Sequence, residues 1–161
     1  MELKTPTPTA AGTPFGGGLY VGRFALGEQM FALIAAPVDF GELGATAWGG
    51  TKTVAGALSV DDGLANTQAM ADAGGALGNW AQALRIEGFD DWYLPSRLEA
   101  LLMFSKLLES GGFKRDWYWT STQYSGDDAC AWSQSFTTGS QYDGRKRDQL
   151  RARAVRRLII Q

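Results

Sequence analysis

Residues 88 to 96, Gly-Phe-Asp-Asp-Trp-Tyr-Leu-Pro-Ser, constrain the fold of this chain more than any other stretch. Trp92 and Leu94 alternate as on a half-buried strand, and the proline after them ends that strand because it has no backbone N–H to donate. Ser96, with Glu99 three residues later, has the pattern of a capping box at the start of a helix. We call residues 88–96 the hub segment, because it predicts a strand, a sharp turn and a helix in succession.

Two helical regions flank this segment. The helix after it is predicted to end at Gly111-Gly112, and the apolar residues expected on its core face are Leu98, Leu101, Leu102, Phe104, Leu107 and Leu108. The region before it is predicted to run from an Asp61-Asp62 N-cap to about Ile86. Gly74-Gly75 is expected to divide this region in two, since glycine disfavours a helix interior.

Strand patterns occupy both ends of the chain. Residues 19–24 and 30–34 predict a hairpin with a glycine in its turn. Residues 117–122, 131–136 and 151–158 predict an antiparallel meander whose connections, residues 123–129 and 137–150, are polar loops. The large aromatic residues of these strands, Trp119 and Trp132 among them, are expected in the core.

Length and composition narrow the class of protein. The 161 residues predict a single domain over residues 17–161, preceded by an extended Thr/Pro-rich arm over residues 1–16 that is either a disordered tail or a tether to a neighbouring subunit. The absence of histidine removes the usual general base and most zinc sites. Neither a signal peptide nor a run of transmembrane length is present, so we expect synthesis in the cytoplasm and no membrane insertion.

Four segments resemble, in order, the motifs of a known family. They are Trp92-Tyr93-Leu94-Pro95-Ser96 with Glu99, Tyr118-Trp119-Thr120-Ser121-Thr122, Ala131-Trp132 with Phe136 and Gly139, and Arg153-Ala154-Val155-Arg156. They resemble the domains related to the C-terminal domain of bacterial collagen-like adhesins, a family similar in fold to C-type lectins. The resemblance covers about residues 88 to 157, and residues 18 to 86 are similar to versions of this domain in tailed-phage genomes.

The resemblance implies an α+β, C-type-lectin-like fold with a twisted antiparallel sheet, two main helices, long loops, and N- and C-terminal strands brought together. It also implies recognition, because such domains serve as adhesin heads, phage receptor-binding tips and hypervariable display domains. The calcium motifs and disulfides of animal C-type lectins are missing here, so calcium-dependent sugar binding is not carried over. The related formylglycine-generating enzymes need paired cysteines, whereas Cys130 is alone.

The candidate ligand contacts lie in the two polar connections, since loops held by a rigid sheet commonly carry binding residues. They are Tyr124, Asp127, Asp128, Tyr142, Asp143, Arg145, Lys146 and Arg147. Tyrosine offers a large contact area with one polar group and few rotatable bonds, which suits stacking on a sugar or a protein interface. Structural or solvated roles remain the alternative for the basic residues, and solvation remains the alternative for Asp127-Asp128.

The sequence therefore predicts a non-enzymatic recognition module, carried on a phage tail tip or fibre, that binds a host surface receptor such as a glycan. We expect no cofactor, no metal and no nucleic-acid partner; contact with other virion proteins is expected through the N-terminal arm, and a homo-oligomer stays open. The first alternative is a structural decoration or tail-assembly subunit that binds sister subunits or other virion proteins. A further alternative is a glycan hydrolase that uses the carboxylate doublets Asp61-Asp62, Asp90-Asp91 or Asp127-Asp128.

Overall fold

The structure, a computed structural model, describes residues 5 to 160. Its strands are β1 (Pro14–Phe15), β2 (Gly18–Leu26), β3 (Gln29–Ala35), β4 (Glu42–Thr46), β5 (Trp117–Gln123), β6 (Cys130–Ser135), β7 (Gln141–Arg145), β8 (Leu150–Arg153) and β9 (Val155–Ile160). Its helices are α1 (Val38–Gly41), α2 (Gly63–Asp72), α3 (Ala76–Ala83) and α4 (Arg97–Leu107). None of the described helices has the length and apolar character needed to cross a bilayer.

The strands form two sheets, so the α+β class is confirmed at this level. One sheet has the order β1-β2-β3-β9 and is antiparallel throughout. The other has the order β4-β8-β5-β6-β7, in which the contact between β5 and β8 is parallel. The predicted hairpin is confirmed as β2 and β3, and Gly27 adopts the left-handed φ of 58° that its tight turn requires.

The predicted meander is wrong in its last strand. Residues 151–158 divide at Ala154, so that β8 joins the five-stranded sheet while β9 pairs with β3 in the other sheet. The reason is that the Ala154 backbone bonds outside both ladders: its N–H donates to the Gly41 carbonyl, and its carbonyl accepts from the Ala36 N–H, each at 2.9 Å. This junction joins the two sheets at a fully buried residue.

The capping box of the hub segment is confirmed. The Ser96 hydroxyl accepts the Glu99 N–H at 3.3 Å, and Glu99 Oε1 accepts the Ser96 N–H at 3.0 Å. Glu99 Oε1 also accepts the N–H of Gly63, the first residue of α2, at 3.0 Å, and Oε2 accepts the Tyr93 hydroxyl. The carboxyl is therefore a fully buried junction between α2, α4 and the hub segment.

The predicted half-buried strand at Trp92–Leu94 is wrong. Tyr93 makes an isolated bridge to Val155, and both faces of the segment are covered, with an exposed fraction of 1% or less at each of its three residues. Trp92, Tyr93 and Leu94 belong to three separate hydrophobic clusters. The hub segment therefore joins the parts of the core, which explains why it carries three large apolar residues without polar alternation.

The division of the helical region is confirmed: α2 and α3 are separated at Gly74, and Asp62 caps α2 by accepting the Ala65 N–H at 3.1 Å. The predicted core face of α4 is only partly correct, because burial of the Glu99 carboxyl turns other residues outward. Leu98 and Leu101 are exposed, and the Leu98 N–H donates to the Val60 carbonyl at 3.0 Å. This bond places residues 58–64 beside the start of α4, and we define the aliphatic patch as the exposed residues of these two segments, Leu58, Val60, Leu64, Leu98 and Leu101.

The N-terminal arm lies against the domain in its last residues. Residues 1–4 of the predicted arm lie outside the described residues, and residues 5–13 contain no helix or strand. The Gly12 N–H donates to the Tyr20 carbonyl at 2.8 Å, the Tyr20 N–H donates to the Thr13 carbonyl at 2.9 Å, and β1 then pairs with β2. The end of the arm is therefore part of the first sheet.

Candidate functional site on the outer strands of the second sheet

The strands β5, β6 and β7 have two faces, and their register decides which predicted site residues meet. Trp132 lies opposite Asp143, and Ser133 lies opposite Tyr142. Since successive residues of a strand point to opposite faces, Trp132 and Asp143 share one face while Tyr142 lies on the other. Arg145, two residues after Asp143, shares the side of Trp132. We call that side the Trp132 face.

Helix α4 places Arg97, its first residue, over this face. The Arg97 guanidinium carbon lies 3.6 Å from the centroid of the Trp132 ring, a close cation–π contact. Gln141 on β7 fixes the arginine from two directions: its Oε1 accepts the Arg97 Nε–H at 3.0 Å, and its Nε2 donates to the Arg97 carbonyl at 2.8 Å. Gln141 Nε2 also donates to Gln134 Oε1 at 2.8 Å, so the glutamine is itself anchored on the sheet.

Tyr124 completes an aromatic group beside the arginine. Its ring packs perpendicular to Trp132, with centroids 5.1 Å apart and an interplanar angle of 88°. The Tyr124 N–H donates to the Cys130 carbonyl at 3.0 Å, which fixes the start of the loop between β5 and β6. Tyr124, Trp132 and Arg97 are all partly exposed. The Trp132 face therefore presents two aromatic rings and a guanidinium whose positions are set by the fold.

The Arg97 guanidinium keeps two nitrogens free of protein partners. Within residues 5–160, neither Nη1 nor Nη2 makes a hydrogen bond or an ion pair, although Nε is bonded to Gln141. Burial lowers the pKa of Arg97 below its ordinary value. An arginine still remains protonated at neutral pH, so the site carries an uncompensated positive charge with four unused N–H donors.

Several of the predicted site residues gather near this group. Burial raises the pKa of the thiol of Cys130, the first residue of β6. The carboxylates of Asp127 and Asp143 raise this pKa further and Arg145 lowers it, so these three charged groups lie near Cys130. Asp127 shapes the loop there, because its Oδ1 accepts the Ala129 N–H at 2.9 Å. The charges on and beside the Trp132 face are therefore mixed in sign.

The remaining predicted residues do not join this group. Tyr142 is on the opposite face, where it is 61% exposed and its ring meets the Trp117 ring edge-on at 5.7 Å. Asp128 and Arg147 are exposed in the turns at the ends of the neighbouring strands. The expectation that Tyr142, Asp143 and Arg145 lie in a loop is wrong, since all three are on the edge strand β7.

Lys146 was predicted as a candidate ligand contact in a loop, with a structural role as one alternative, and its burial in a turn agrees with the structural role. Its side chain is fully buried, with Nζ donating to the Lys52 carbonyl at 2.9 Å and to Gln123 Oε1 at 2.8 Å. The ammonium also lies 4.6 Å from the centroid of the Trp48 ring. Burial lowers the pKa of Lys146. Lys146 holds the residue 48–54 loop to β5 and is not available to a ligand.

The acidic doublets are largely used by the fold. Asp62 pairs with Arg157 at 2.9 Å, and Asp91 pairs with Arg156 at 2.7 Å instead of serving only the turn before Trp92. No group of three or more acidic or cysteine side chains suited to a metal ion occurs among the residues that the structure describes.

Three residues of the site were missed from the sequence as ligand contacts, namely Arg97, Trp132 and Gln141. Trp132 was expected in the core, but its strand lies next to the edge strand and its ring, which Arg97 and Tyr124 contact, is partly exposed. Arg97 directly follows the Ser96 cap, a position from which a side chain leaves the helix, and this was the one available signal. No family model matches the chain, and no curated protein matches it either.

Proposed function

We propose that this chain is a non-enzymatic recognition module with a C-type-lectin-like fold that binds a host surface receptor, such as a glycan, through the Trp132 face. We further propose that it is a phage virion protein of the tail tip or fibre, made in the host cytoplasm and then assembled. The observation that supports the binding role is the group of Arg97, Trp132 and Tyr124. These side chains are held by contacts with one another and with Gln141, they are partly exposed, and Arg97 has unused N–H donors.

The pairing of the C-terminal strand with the N-terminal hairpin supports the proposed C-type-lectin-like fold. Strand β9 pairs with β3 along its whole length, from Ala35↔Val155 to Met30↔Ile160. A terminal strand returning to the first hairpin is what the resemblance implies. The hub segment, which carries the first motif of the resemblance, contacts both sheets: Tyr93 bridges to Val155 on β9, and the Pro95 carbonyl accepts the Ser121 N–H of β5 at 2.7 Å.

The site suits recognition because it is fixed before a ligand arrives. Gln141 bonds Arg97 at both its side chain and its carbonyl, so little side-chain entropy remains to be lost on binding. Aromatic rings with few rotatable bonds add contact area at low entropic cost. Aromatic surface beside fixed hydrogen-bond donors is the chemistry that sugar rings require, since they present both C–H faces and hydroxyl groups.

The test is binding of the purified, labelled protein to intact candidate host cells. The site variant carries Tyr124→Ala and Arg145→Ala, and the matched control carries Tyr142→Ala and Arg115→Ala, which removes the same residue types elsewhere. We expect saturable binding that the site variant loses and the control keeps. Equal loss in both variants, or no binding by folded protein to any host that the phage infects, would refute the proposal.

The alternative function, a structural virion subunit that binds further copies of this chain, is favoured by one specific observation. The aliphatic patch exposes five apolar side chains, with fractions between 37% and 56%, and exposed apolar clusters of this kind mark protein interfaces. Light scattering of Leu98→Lys against the unchanged protein tests it. A stable oligomer that this variant dissociates, together with absence of cell binding, would favour the structural role.

A further inference from the structure

Arg97 differs from the arginines that the fold uses for itself. Arg153, Arg156 and Arg157 each pair with a carboxylate of the chain at 3.0 Å or less. Arg97 is partly buried, and yet no acid of the described residues lies within ion-pair distance of it. A partly desolvated charge interacts more strongly with a partner than a fully solvated one does, so an anion from outside the chain would find a site prepared for it.

The orientation of the guanidinium defines how that anion would bind. Its central carbon lies over the Trp132 ring and its Nε–H donates to Gln141, so the free edge is the pair Nη1 and Nη2. Two parallel N–H groups in one plane match the two oxygens of a carboxylate, which they bind bidentately. The site is therefore shaped for a planar anion in the plane of the guanidinium.

The surrounding charges disfavour a more highly charged anion. Asp143 lies opposite Trp132 on the same face, and Asp127 lies at the adjacent loop. Their negative charges would repel a phosphate dianion or a densely sulfated chain more strongly than a single carboxylate. The same carboxylates are good acceptors for hydroxyl groups, and Tyr124 offers an aromatic ring beside them.

We propose that the ligand of the Trp132 face is an acidic sugar, a uronic or sialic acid residue, whose carboxylate binds the Nη1–Nη2 edge of Arg97. Its hydroxyls then meet Asp143, and its ring lies against Tyr124. This inference rests on the proposed recognition function and adds the chemical class of the ligand. Arg97 is the residue that selects acidic over neutral sugars.

The test compares ligands that differ in the carboxylate. The probes are a galacturonic acid tetrasaccharide and sialyllactose, each compared with its own carboxyl-reduced form and titrated by calorimetry against the full-length protein. We expect one of the acidic probes to bind and its neutral partner to bind at least about 10-fold more weakly, as the loss of a charge-assisted bidentate contact implies. Arg97→Gln should remove this preference, and Arg97→Lys should restore only part of it.

The control is Arg23→Gln, which makes the same charge change at an exposed arginine on β2, in the other sheet, and should bind as the unchanged protein does. Equal affinity for acidic and neutral sugars, or stronger binding of dextran sulfate than of both acidic probes, would overturn the acidic-sugar inference while leaving recognition in place. Cell binding that persists in Arg97→Gln would overturn it as well. Failure of the folded protein to bind cells or any probe would instead overturn the proposed function itself.

Discussion

Two arginines of this molecule have the same kind of aromatic neighbour and opposite surroundings. Arg153 on β8 lies 4.1 Å from the Phe113 ring centroid, and Arg97 on α4 lies 3.6 Å from that of Trp132. Arg153 is fully buried, and its nitrogens bond Glu42 and the carbonyls of three loop residues. Within residues 5–160, the Arg97 guanidinium hydrogen-bonds the chain only through Nε. The hydrogen-bond donors of Arg153 are used by the fold, whereas the fold positions Arg97 and leaves its Nη1 and Nη2 donors unused.

This difference distinguishes a polar group that stabilises the fold, such as Arg153, from a polar group that is positioned at the surface, such as Arg97. A buried charge is tolerated when partners surround it, and its removal then leaves those partners unsatisfied. A charge held at the surface with open donors contributes little to folding, because water already serves those donors. Substitution of Arg153 should therefore lower stability, whereas substitution of Arg97 should lower ligand binding.

The largest effect is expected at Arg153. Arg153→Leu leaves the buried carbonyls of Ala36 and Gly111 without their donor and removes the ion pair with Glu42, so we expect the free energy of unfolding to fall by about 3–5 kcal/mol. Urea denaturation followed by tryptophan fluorescence measures it. A loss of stability below about 1 kcal/mol would show that the hydrogen bonds of Arg153 contribute little to folding, and Arg153 would then not differ from Arg97 in this respect.

The second effect concerns Glu99, two residues from Arg97 but inside the core. Burial raises its pKa from 4.5 to about 7, against the lowering effect of the hydrogen bonds from Tyr93, Ser96 and Gly63. The folded protein therefore holds a proton between pH 4.5 and 7 that the unfolded chain has lost. We expect the free energy of unfolding to fall as pH rises through this window, by on the order of 2 kcal/mol.

The control for this pH effect is a pair of glutamine variants. Glu99→Gln should flatten the dependence of stability between pH 5 and pH 7.5, whereas Glu109→Gln, at an exposed residue, should leave it unchanged. Urea midpoints across this range provide the measurement. A stability that rises with pH through the window in the unchanged protein would mean that Glu99 is ionised in the fold and behaves like an ordinary paired carboxylate.

Sequence reasoning succeeded where the structure depends on neighbours along the chain. The Ser96–Glu99 box, the Asp62 cap and the break at Gly74 each follow from contacts within a few residues, and all are confirmed. It failed where a position depends on distant packing. Residues 151–158 look like one strand, but the bonds from Ala154 to Gly41 and Ala36 that divide them span more than a hundred residues.

The site could be predicted only in part for the same reason. Tyr124 and Asp143 were chosen because they fall in connections whose composition is polar, but the pairing of Arg97 with Trp132 joins a helix to a strand across 35 residues of sequence. The burial of Lys146 likewise depends on the loop that carries Lys52, which no local pattern connects to β7. Charge alone could not separate Lys146 from Arg145, its exposed neighbour.

Arg97 gives the third prediction. Arg97→Gln removes the cation–π contact with Trp132 and the bond to Gln141, so we expect the free energy of unfolding to fall by about 1 kcal/mol or less, while acidic-sugar binding is lost. Urea denaturation and calorimetry on the same preparation give both values. A loss of stability near that of Arg153→Leu would show that Arg97 has a structural role like that of Arg153, and the proposed difference between the two arginines would be wrong.

The smallest effect is expected on the other face of the same strands. Tyr142 is 61% exposed and meets only the edge of Trp117, so Tyr142→Ala should change the free energy of unfolding by less than about 0.5 kcal/mol. It should also leave ligand binding unchanged, whereas Tyr124→Ala should weaken it. The pair is informative because it removes the same side chain from the Trp132 face and from the opposite face. If binding instead followed Tyr142, the recognition surface would lie on the Trp117 side, and the open donors of Arg97 would serve no ligand.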